Sequence, residues 1–377
     1  MNDAERIVVL ADLHLAPGST DRSDRRGGAS WDDVVARFID RLAPAMDVGR
    51  HRLVLLGDTF DLVATEAATS ATDTTAAATI ARLDAIAESH PRIITALRAA
   101  AARGMSIDVV CGNHDIELVH PEAKHRLSAL LDLGPSRLRV HPWILYIPGV
   151  LYAEHGSQHH DINASPAVTA PFRFDGGSTQ VERSLAAEVD RCVDDLRAAA
   201  GLGPRLGGAL RLARLAGRYT AVGQMRRRRE HQATLAHRAL EIGLPEATLR
   251  QLDGLSRFGL GSIAVRLGHR AVAWSLARWC TRTVPAAHPA GYLHVAWPRV
   301  VRILEAHGCA VPFHVFGHTH VAEARGLAGH DAVYLNPGSW TLPRNLGRRA
   351  SVASLSFVEI CSERESVVRG RLLTWHP

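Results

Sequence analysis

The chain has 377 residues, a formal net charge of +6 and 46% hydrophobic residues, which is typical of a globular protein and excludes a disordered or fibrous chain. Its five cysteines are scattered, so neither a disulfide framework nor a thiolate zinc site is expected. The first apolar run is too short for a signal peptide, and no run reaches the roughly 18 residues of a membrane span. We therefore expect a cytoplasmic protein, either soluble or peripheral at the inner membrane surface.

Strand-like and helical patterns alternate along much of the chain. Short apolar runs that end in polar residues predict strands at 7–11, 52–56, 107–111, 150–153, 313–316 and 333–335. Helical patterns follow Ser30, which with Asp33 resembles an N-terminal capping box, and fill the alanine-rich stretch from Thr75 to Arg103. Runs at 352–360 and 367–374 predict a closing hairpin. This alternation favours an α/β layered core.

The middle of the chain differs from the rest. Residues 166–295 lack strand-like runs and carry apolar residues at helical spacing, so we expect a helical insertion there. Pro298 and Gly308 bracket one more predicted helix, and the strand pattern resumes at Phe313. The sequence therefore predicts a core of residues 1–165 and 296–377, interrupted by an insertion that could serve as a lid.

Five short polar motifs stand at the ends of predicted strands. They are Asp12-Leu13-His14, Gly57-Asp58-Thr59-Phe60-Asp61, Gly112-Asn113-His114-Asp115, His155-Gly156 and Gly317-His318-Thr319-His320. Because ligands of open α/β sheets bind beyond the carboxyl ends of the strands, we expect one common site. Carboxylate oxygens and imidazole nitrogens suit Mn, Fe, Zn or Co, and the absence of cysteine from the motifs argues against structural zinc.

In these motifs and their order, the chain resembles the calcineurin-like metallophosphoesterase superfamily over residues 7–161 and 313–344. The resemblance implies a four-layer αββα sandwich that hydrolyses a phosphate mono-, di- or pyrophosphate ester with a hydroxide bridging two divalent metal ions, with manganese among the candidates. It implies that Asp12, His14, Asp58 and His320 bind one ion. The other ion would be bound by Asp58, Asn113, His155 and His318.

The same resemblance implies roles for residues beside these ligands. His114 resembles the histidine that contacts the phosphate and protonates the leaving alkoxide, and Asp115 would orient its imidazole. Asp61 has two open roles, as a partner of a metal-binding histidine or as a helix cap. The segment from Asn336 to Arg344 resembles the loop that follows the final histidine motif, and Arg344 is a candidate substrate contact.

Two further groups of residues have simpler interpretations. We interpret His159, His160 and Asp161 as a solvated or substrate-facing loop rather than a third metal site. Cys111, inside a predicted strand, is expected to be buried packing rather than a nucleophile. Within the superfamily, the lid-bearing UDP-2,3-diacylglucosamine hydrolases are similar in layout, but they usually have arginine at the position of His114.

Arginine supplies nearly all of the positive charge, since Lys124 is the only lysine. Arginines alternate with leucines along the insertion, and Arg226–Arg229 form a basic run that is more often a solvated helix face than a binding patch. Basic amphipathic helices can cover a cleft, accept an anionic substrate or lie on an anionic membrane. We therefore expect a phosphorylated small-molecule or amphiphilic substrate, with Arg211 and Arg214 as candidate contacts and with peripheral membrane contact through the insertion.

Two alternative functions stay open at this point. A metal-dependent nuclease would suit the basic insertion, but nucleic acid is disfavoured because the sequence has no recognisable nucleic-acid-binding module and no aromatic-rich strip. A non-catalytic adaptor at a membrane surface or on a protein is the second alternative. The sequence does not determine the oligomeric state.

Overall fold

The computed structural model describes most of the chain. The described residues are 5–17, 30–42, 50–65, 73–134, 136–160, 163–165, 168, 171–175, 178–184, 201, 203, 206–207, 210, 234–256, 291–341, 355–363 and 367–376. No helix among them is long and apolar enough to cross a membrane.

The strands and helices alternate in the first half of the chain. The described strands are β1 (Glu5–Leu10), β2 (Arg50–Leu56), β3 (Ser106–Val110), β4 (Leu138–His141), β5 (Ile144–Ile147), β6 (Leu151–Glu154), β7 (Phe172–Asp175), β8 (Ser178–Val181), β9 (Phe313–Phe316), β10 (Ala322–Gly326), β11 (Val333–Pro337), β12 (Ser356–Glu363) and β13 (Val367–Thr374). The described helices with assigned bounds are α1 (Trp31–Leu42), α2 (Ala76–Ser89), α3 (Pro91–Ala102), α4 (Pro121–Leu131), α5 (Glu246–Asp253) and α6 (Gly291–Ala306). Residues 234–242 are also helical.

Two sheets form the core. The first has the strand order β13-β12-β1-β2-β3-β4, in which β1 to β4 are parallel and the β12–β13 hairpin pairs antiparallel with β1. The second has the order β10-β11-β9-β6-β5, with β6, β9 and β11 parallel and the two edge strands antiparallel to their neighbours. All eight strands predicted from the sequence are therefore present, including the closing hairpin.

Apolar side chains from both sheets interdigitate in one buried cluster. The members from the first sheet and the residue that follows β1 are Ile7, Val9, Ala11, Val54, Leu56, Val110, Val358 and Ile360. Those from the second sheet are Leu145, Leu151, Ala153, Phe313, Val315 and Leu335. The contact is so close that a Cβ atom at Gly370 would clash with the Phe313 ring. The two sheets pack face to face and are flanked by helices, which confirms the predicted αββα sandwich.

Local sequence signals account for the helices around the site. The predicted capping box at α1 is confirmed, because the amide of Asp33 donates to Ser30 Oγ at 3.2 Å and the amide of Ser30 donates to Asp33 Oδ2 at 3.2 Å. The alanine-rich stretch from Thr75 is two helices, not one. It breaks at His90 because Pro91 disfavours helical geometry in the preceding residue.

The predicted helix between Pro298 and Gly308 begins earlier than expected. It starts at Gly291 and contains Pro298 in its interior. The apolar residues Leu293, Trp297, Val300 and Leu304 recur at helical spacing and are buried. Their burial stabilises a continuous helix although proline removes one backbone hydrogen bond.

The expected strand-free insertion contains two short strands, β7 and β8. Sequence reasoning missed them because neither segment is an apolar run, although Gly176-Gly177 is a typical sequence signal of a two-residue hairpin turn.

The chain divides into two compact units. One contains residues 1–155, 179–181 and 310–377, and the other contains residues 156–178 and 182–309. The second unit extends beyond the predicted insertion, 166–295, at both ends, and its described part includes α5 and α6. A division at 165/166 and 295/296 stays a prediction.

Candidate metal centre

The five motifs follow the carboxyl ends of parallel strands in both sheets. Strands β1, β2 and β3 lead into the motifs at Asp12, Asp58 and Asn113, while β6 and β9 lead into those at His155 and His318. The strand ends therefore bring side chains from distant parts of the sequence together, as predicted for a common site.

Asp12, His14 and His320 form one group of potential ligands. Nε2 of His14 lies 3.3 Å from Nε2 of His320. Nε2 of His320 is 3.2 Å from Oδ1 of Asp12, and that of His14 is 3.9 Å from the same oxygen. These atoms lie within 4.8 Å of one another, close enough to bind one ion.

A second group consists of Asp58, His155 and His318. Nε2 of His155 is 3.2 Å from Oδ2 of Asp58 and 3.2 Å from Nδ1 of His318. Asp58 also belongs to a third group with His14 and His114, and its Oδ2 is 3.7 Å from Nε2 of His14. Asp58 and His14 are thus each common to two groups.

Backbone amides orient the two central carboxylates. The amide of His114 donates to Oδ1 of Asp58 at 2.9 Å, and the amide of His318 donates to Oδ2 of Asp12 at 3.0 Å. Each bond occupies one carboxylate oxygen and directs the other toward the histidines. Oδ1 of Asn113 is buried without a hydrogen-bond partner among the described residues, whereas Oδ1 of Asp12 faces Nε2 of His320 at 3.2 Å. A buried acceptor without a donor costs about 1–3 kcal/mol, so the Asn113 oxygen fits a cation site.

The backbone of these loops is strained. Five non-glycine residues of the site have positive φ angles, which L-residues rarely adopt: Asp12 (54°), His14 (47°), Asp58 (48°), His318 (66°) and His320 (59°). Such conformations persist only where surrounding contacts enforce them, and they cluster at functional sites. Close packing adds a constraint at Gly112, where a Cβ atom would clash with Asp58.

His114 pairs with Asp61 rather than with Asp115. Its Nδ1 lies 2.8 Å from Oδ1 of Asp61, whose Oδ2 lies 3.5 Å from Nδ1 of His14. The same Oδ1 accepts the amide of Ala64 at 2.9 Å. Asp61 therefore contacts two histidines of the site, as one of its two predicted roles required, and its bond to Ala64 closes a turn rather than capping a helix.

The prediction that Asp115 orients the imidazole of His114 is wrong. Asp115 is fully buried and accepts backbone amides instead, from Gly112 at 2.7 Å, Thr59 at 2.8 Å and Phe60 at 3.3 Å. Because these amides belong to two motifs, the carboxylate fixes one loop relative to the other. The sequence placed Asp115 beside His114, but consecutive side chains need not face each other.

The carboxylates and imidazoles perturb each other strongly. Burial opposes a charge on His155, but Asp58 and Asp12 outweigh this effect and raise the pKa of His155 to about 9. Burial likewise opposes a charge on His114, and Asp58 and Asp61 raise its pKa to about 9. Burial, reinforced by the charge of Asp58, raises the pKa of Asp115 to about 6. The buried negative charge of the site thus favours bound positive charge.

Asn336 near the end of β11 and Ser339 just after it each brace one of the motifs. Nδ2 of Asn336 donates to the carbonyl of Gly317 and to Oγ1 of Thr319, both at 3.1 Å. Oγ of Ser339 donates to the carbonyl of Asp12 at 2.9 Å. Sequence reasoning noted this Asn-Pro-Gly-Ser segment only as a resemblance and missed its bonds to both loops, although a polar cluster at a strand end was a usable signal.

Other predicted residues lie apart from the centre or outside the described residues. Cys111 is buried and burial raises the pKa of its thiol well above the usual value, which agrees with packing rather than nucleophilic attack. His159 is buried, and the His160 ring lies 5.0 Å from that of Tyr292. Asp161, Arg211, Arg214, Arg226–Arg229 and Arg344 lie outside the described residues.

Comparisons with known proteins add little beyond this geometry. No family model matches the chain, and no curated protein matches it. A Streptococcus pneumoniae TIGR4 protein described as a predicted phosphoesterase is 10% identical, with a TM-score of 0.27, and the match covers 99% of this chain and 91% of that one.

Two other solved structures are similarly distant. Phosphopantetheinyl hydrolase from Mycobacterium tuberculosis is 12% identical, with a TM-score of 0.29 and coverage of 90% of this chain and 91% of that one. A single mutant of Vps29 from Entamoeba histolytica is 11% identical, with a TM-score of 0.25 and coverage of 98% and 99%. Similarity at this level does not indicate an activity, so a functional assignment depends on the site itself.

Proposed function

We propose that the chain is a metal-dependent phosphoric ester hydrolase with two divalent cations. Asp12, His14, Asp58 and His320 hold one cation. Asp58, Asn113, His155 and His318 hold the other. The observation that carries this proposal is the convergence of three overlapping groups of ligand atoms, two of which share Asp58.

The donor set supports this choice of cofactor. Carboxylate oxygens, an amide oxygen and imidazole nitrogens suit Mn, Fe, Zn or Co. The buried Oδ1 of Asn113, which has no hydrogen-bond partner among the described residues, provides an acceptor for a cation. When bound, two such cations supply Lewis acidity that lowers the pKa of water and neutralises charge on a phosphate ester.

His114 is the proposed proton donor to the leaving oxygen. Its side chain is 28% exposed, whereas that of Asp58 is 2% exposed, so His114 is the more accessible to a substrate. Asp61 accepts a hydrogen bond from Nδ1 of His114, which leaves Nε2 available to the substrate. The proton on Nε2 then passes to the leaving alkoxide. The negative charge of Asp61 beside Nδ1 favours the protonated imidazole.

The substrate is a phosphorylated small molecule, and an amphiphilic one would use the basic insertion. Arg211, Arg214 and Arg344 are the proposed anionic-group contacts, with peripheral membrane contact through the same insertion. Binding energy gathered there would accelerate hydrolysis of the full substrate but not of a small generic ester.

The deciding experiment compares Asp58→Asn with Asp108→Asn. Asp108 is also fully buried, but its carboxylate binds Arg52 at 2.9 Å and His141 at 2.6 Å, away from the candidate ligands. After loading with Mn²⁺, we expect Asp58→Asn to lose both metals and hydrolysis of a nitrophenyl phosphate ester while staying folded. Asp108→Asn should be less stable but retain its metals. Wild-type metal content and turnover in Asp58→Asn would refute the proposal.

A further inference from the structure

A buried histidine outside the metal centre connects it to the helices. His90 lies between α2 and α3 and is 1% exposed. Its Nδ1 is 2.8 Å from Oδ1 of Asp32 in the first turn of α1, and its Nε2 is 3.0 Å from the carbonyl oxygen of Ala16. Ala16 is two residues beyond His14, so one imidazole joins α1 to the loop that carries two proposed ligands.

The two contacts determine where the protons lie. A backbone carbonyl can only accept a hydrogen bond, so Nε2 must donate to Ala16. The carboxylate of Asp32, which is 5% exposed, accepts from Nδ1. Both ring nitrogens are therefore held by hydrogen bonds, Nε2 by Ala16 and Nδ1 by Asp32.

The loop needs anchors on both sides. On one side it is bonded to the next motif, since the amides of His14 and Leu15 donate to the carbonyls of Asp58 and Thr59 at 2.8 and 2.9 Å. On the other side His90 binds the carbonyl of Ala16. Asp12 and His14, in the same loop, adopt positive φ angles, which relax unless the surroundings enforce them.

We propose that His90, paired with Asp32, is a positioning residue that fixes the loop of Asp12 and His14 for cation binding. This inference rests on the proposed function. The pair should affect the cation site that contains Asp12 and His14, because Asn113, His155 and His318 of the second site come from other loops. A role limited to helix packing would affect both sites and overall stability alike.

The experiment uses His90→Leu with Arg92→Ser as the matched control. Arg92 forms an exposed ion pair with Asp33 across the same two helices, 2.6 Å from Nε to Oδ1, and this pair does not include the loop. Calorimetric titration with Mn²⁺ and hydrogen exchange at the amides of His14 and Leu15 are the two readouts. In His90→Leu we expect one Mn²⁺ to bind at least about 10-fold more weakly, since a charge-assisted bond is lost, and both amides to exchange faster.

Each outcome decides between the alternatives. Unchanged Mn²⁺ affinity and exchange in His90→Leu would overturn the inference, as would equal weakening of both ions accompanied by the same effect in Arg92→Ser. If wild type binds none of the divalent ions of Mn, Fe, Zn and Co but the amides exchange faster in His90→Leu, the proposed function fails while the positioning of the loop holds. Should His90→Leu not fold, Asp32→Asn, which keeps an acceptor oxygen but removes the charge, must weaken one Mn²⁺ selectively, and an unchanged affinity would refute the pair.

Discussion

Replacing Asp61 with asparagine tests how His114 is held. Asp61 is 5% exposed, and its carboxylate accepts a hydrogen bond from Nδ1 of His114 at 2.8 Å. A hydrogen bond to a charged group contributes about 1.5–3 kcal/mol. Asparagine keeps an acceptor oxygen but removes the charge that favours a protonated imidazole. If the loss of this hydrogen-bond energy raises the barrier for proton donation, kcat should fall by roughly 10- to 100-fold.

The assay compares the hydrolysis of two phosphate esters and includes the double variant that combines Asp61→Asn with His114→Ala. Nitrophenolate leaves without needing a proton, so Asp61→Asn should slow hydrolysis of an alkyl phosphate ester more than that of a nitrophenyl phosphate ester. His114→Ala should reduce kcat on the alkyl ester by about 10²- to 10⁴-fold. Because Asp61 would act through His114, the double variant should be no slower than His114→Ala alone.

Equal losses on the two esters, or losses that add in the double variant, would refute this reasoning. The effect of Asp61 would then pass through His14, which lies 3.5 Å from its other oxygen. Elemental analysis distinguishes the two routes, because a loss through His14 should be accompanied by a lower metal content.

Three further predictions concern stability and the contacts of Asn336. Burial lowers the pKa of His314 to about 3, so between about pH 6.5 and pH 3 the imidazole is protonated only in the unfolded chain. His314→Phe should therefore reduce the loss of stability on acidification by up to about 1.4 kcal/mol per pH unit, as measured by urea unfolding at different pH values. Burial opposes ionisation of Asp108, but His141 and Arg52 outweigh it and hold the pKa of Asp108 below its usual value. The wild type should therefore be more stable than Asp108→Asn by a margin that is full above about pH 4 and shrinks as the pH falls further. A stability difference that widens on acidification would contradict this assignment. Asn336→Ala should lower Mn²⁺ affinity in calorimetry, because the loop of His318 and His320 loses the donor that binds Gly317 and Thr319, whereas unchanged affinity would mean that this loop holds its conformation without Asn336.

The sequence predicted the strands that lead into the site because each is a short, mostly apolar run followed by a polar motif. β3, β6 and β9 are examples, and buried parallel strands have this pattern. The assembly of Asp12, Asp58 and His320 in one place followed from the rule that parallel strands end at a common edge.

Contacts between side chains were harder to predict. The pairing of His114 with Asp61, not Asp115, depends on the turn after Asp58 and on three amides that Asp115 satisfies. The bond from His90 to Ala16 joins residues 74 positions apart without any shared motif. The exposed strand β10 has no continuous apolar run to reveal it.

Because the candidate ligands come from both sheets, a cation can bind tightly only when both sheets are folded and packed together. His14 and His320 are 306 positions apart and meet only when the two sheets have packed on each other. Contacts of such long range form late, so a partly folded chain would present separate, weak binding groups. A cation that bridges them would then act as a clamp between the sheets, adding stability in proportion to RT ln(1 + [L]/Kd). Chelation should therefore loosen the packing of the whole sandwich as well as the site.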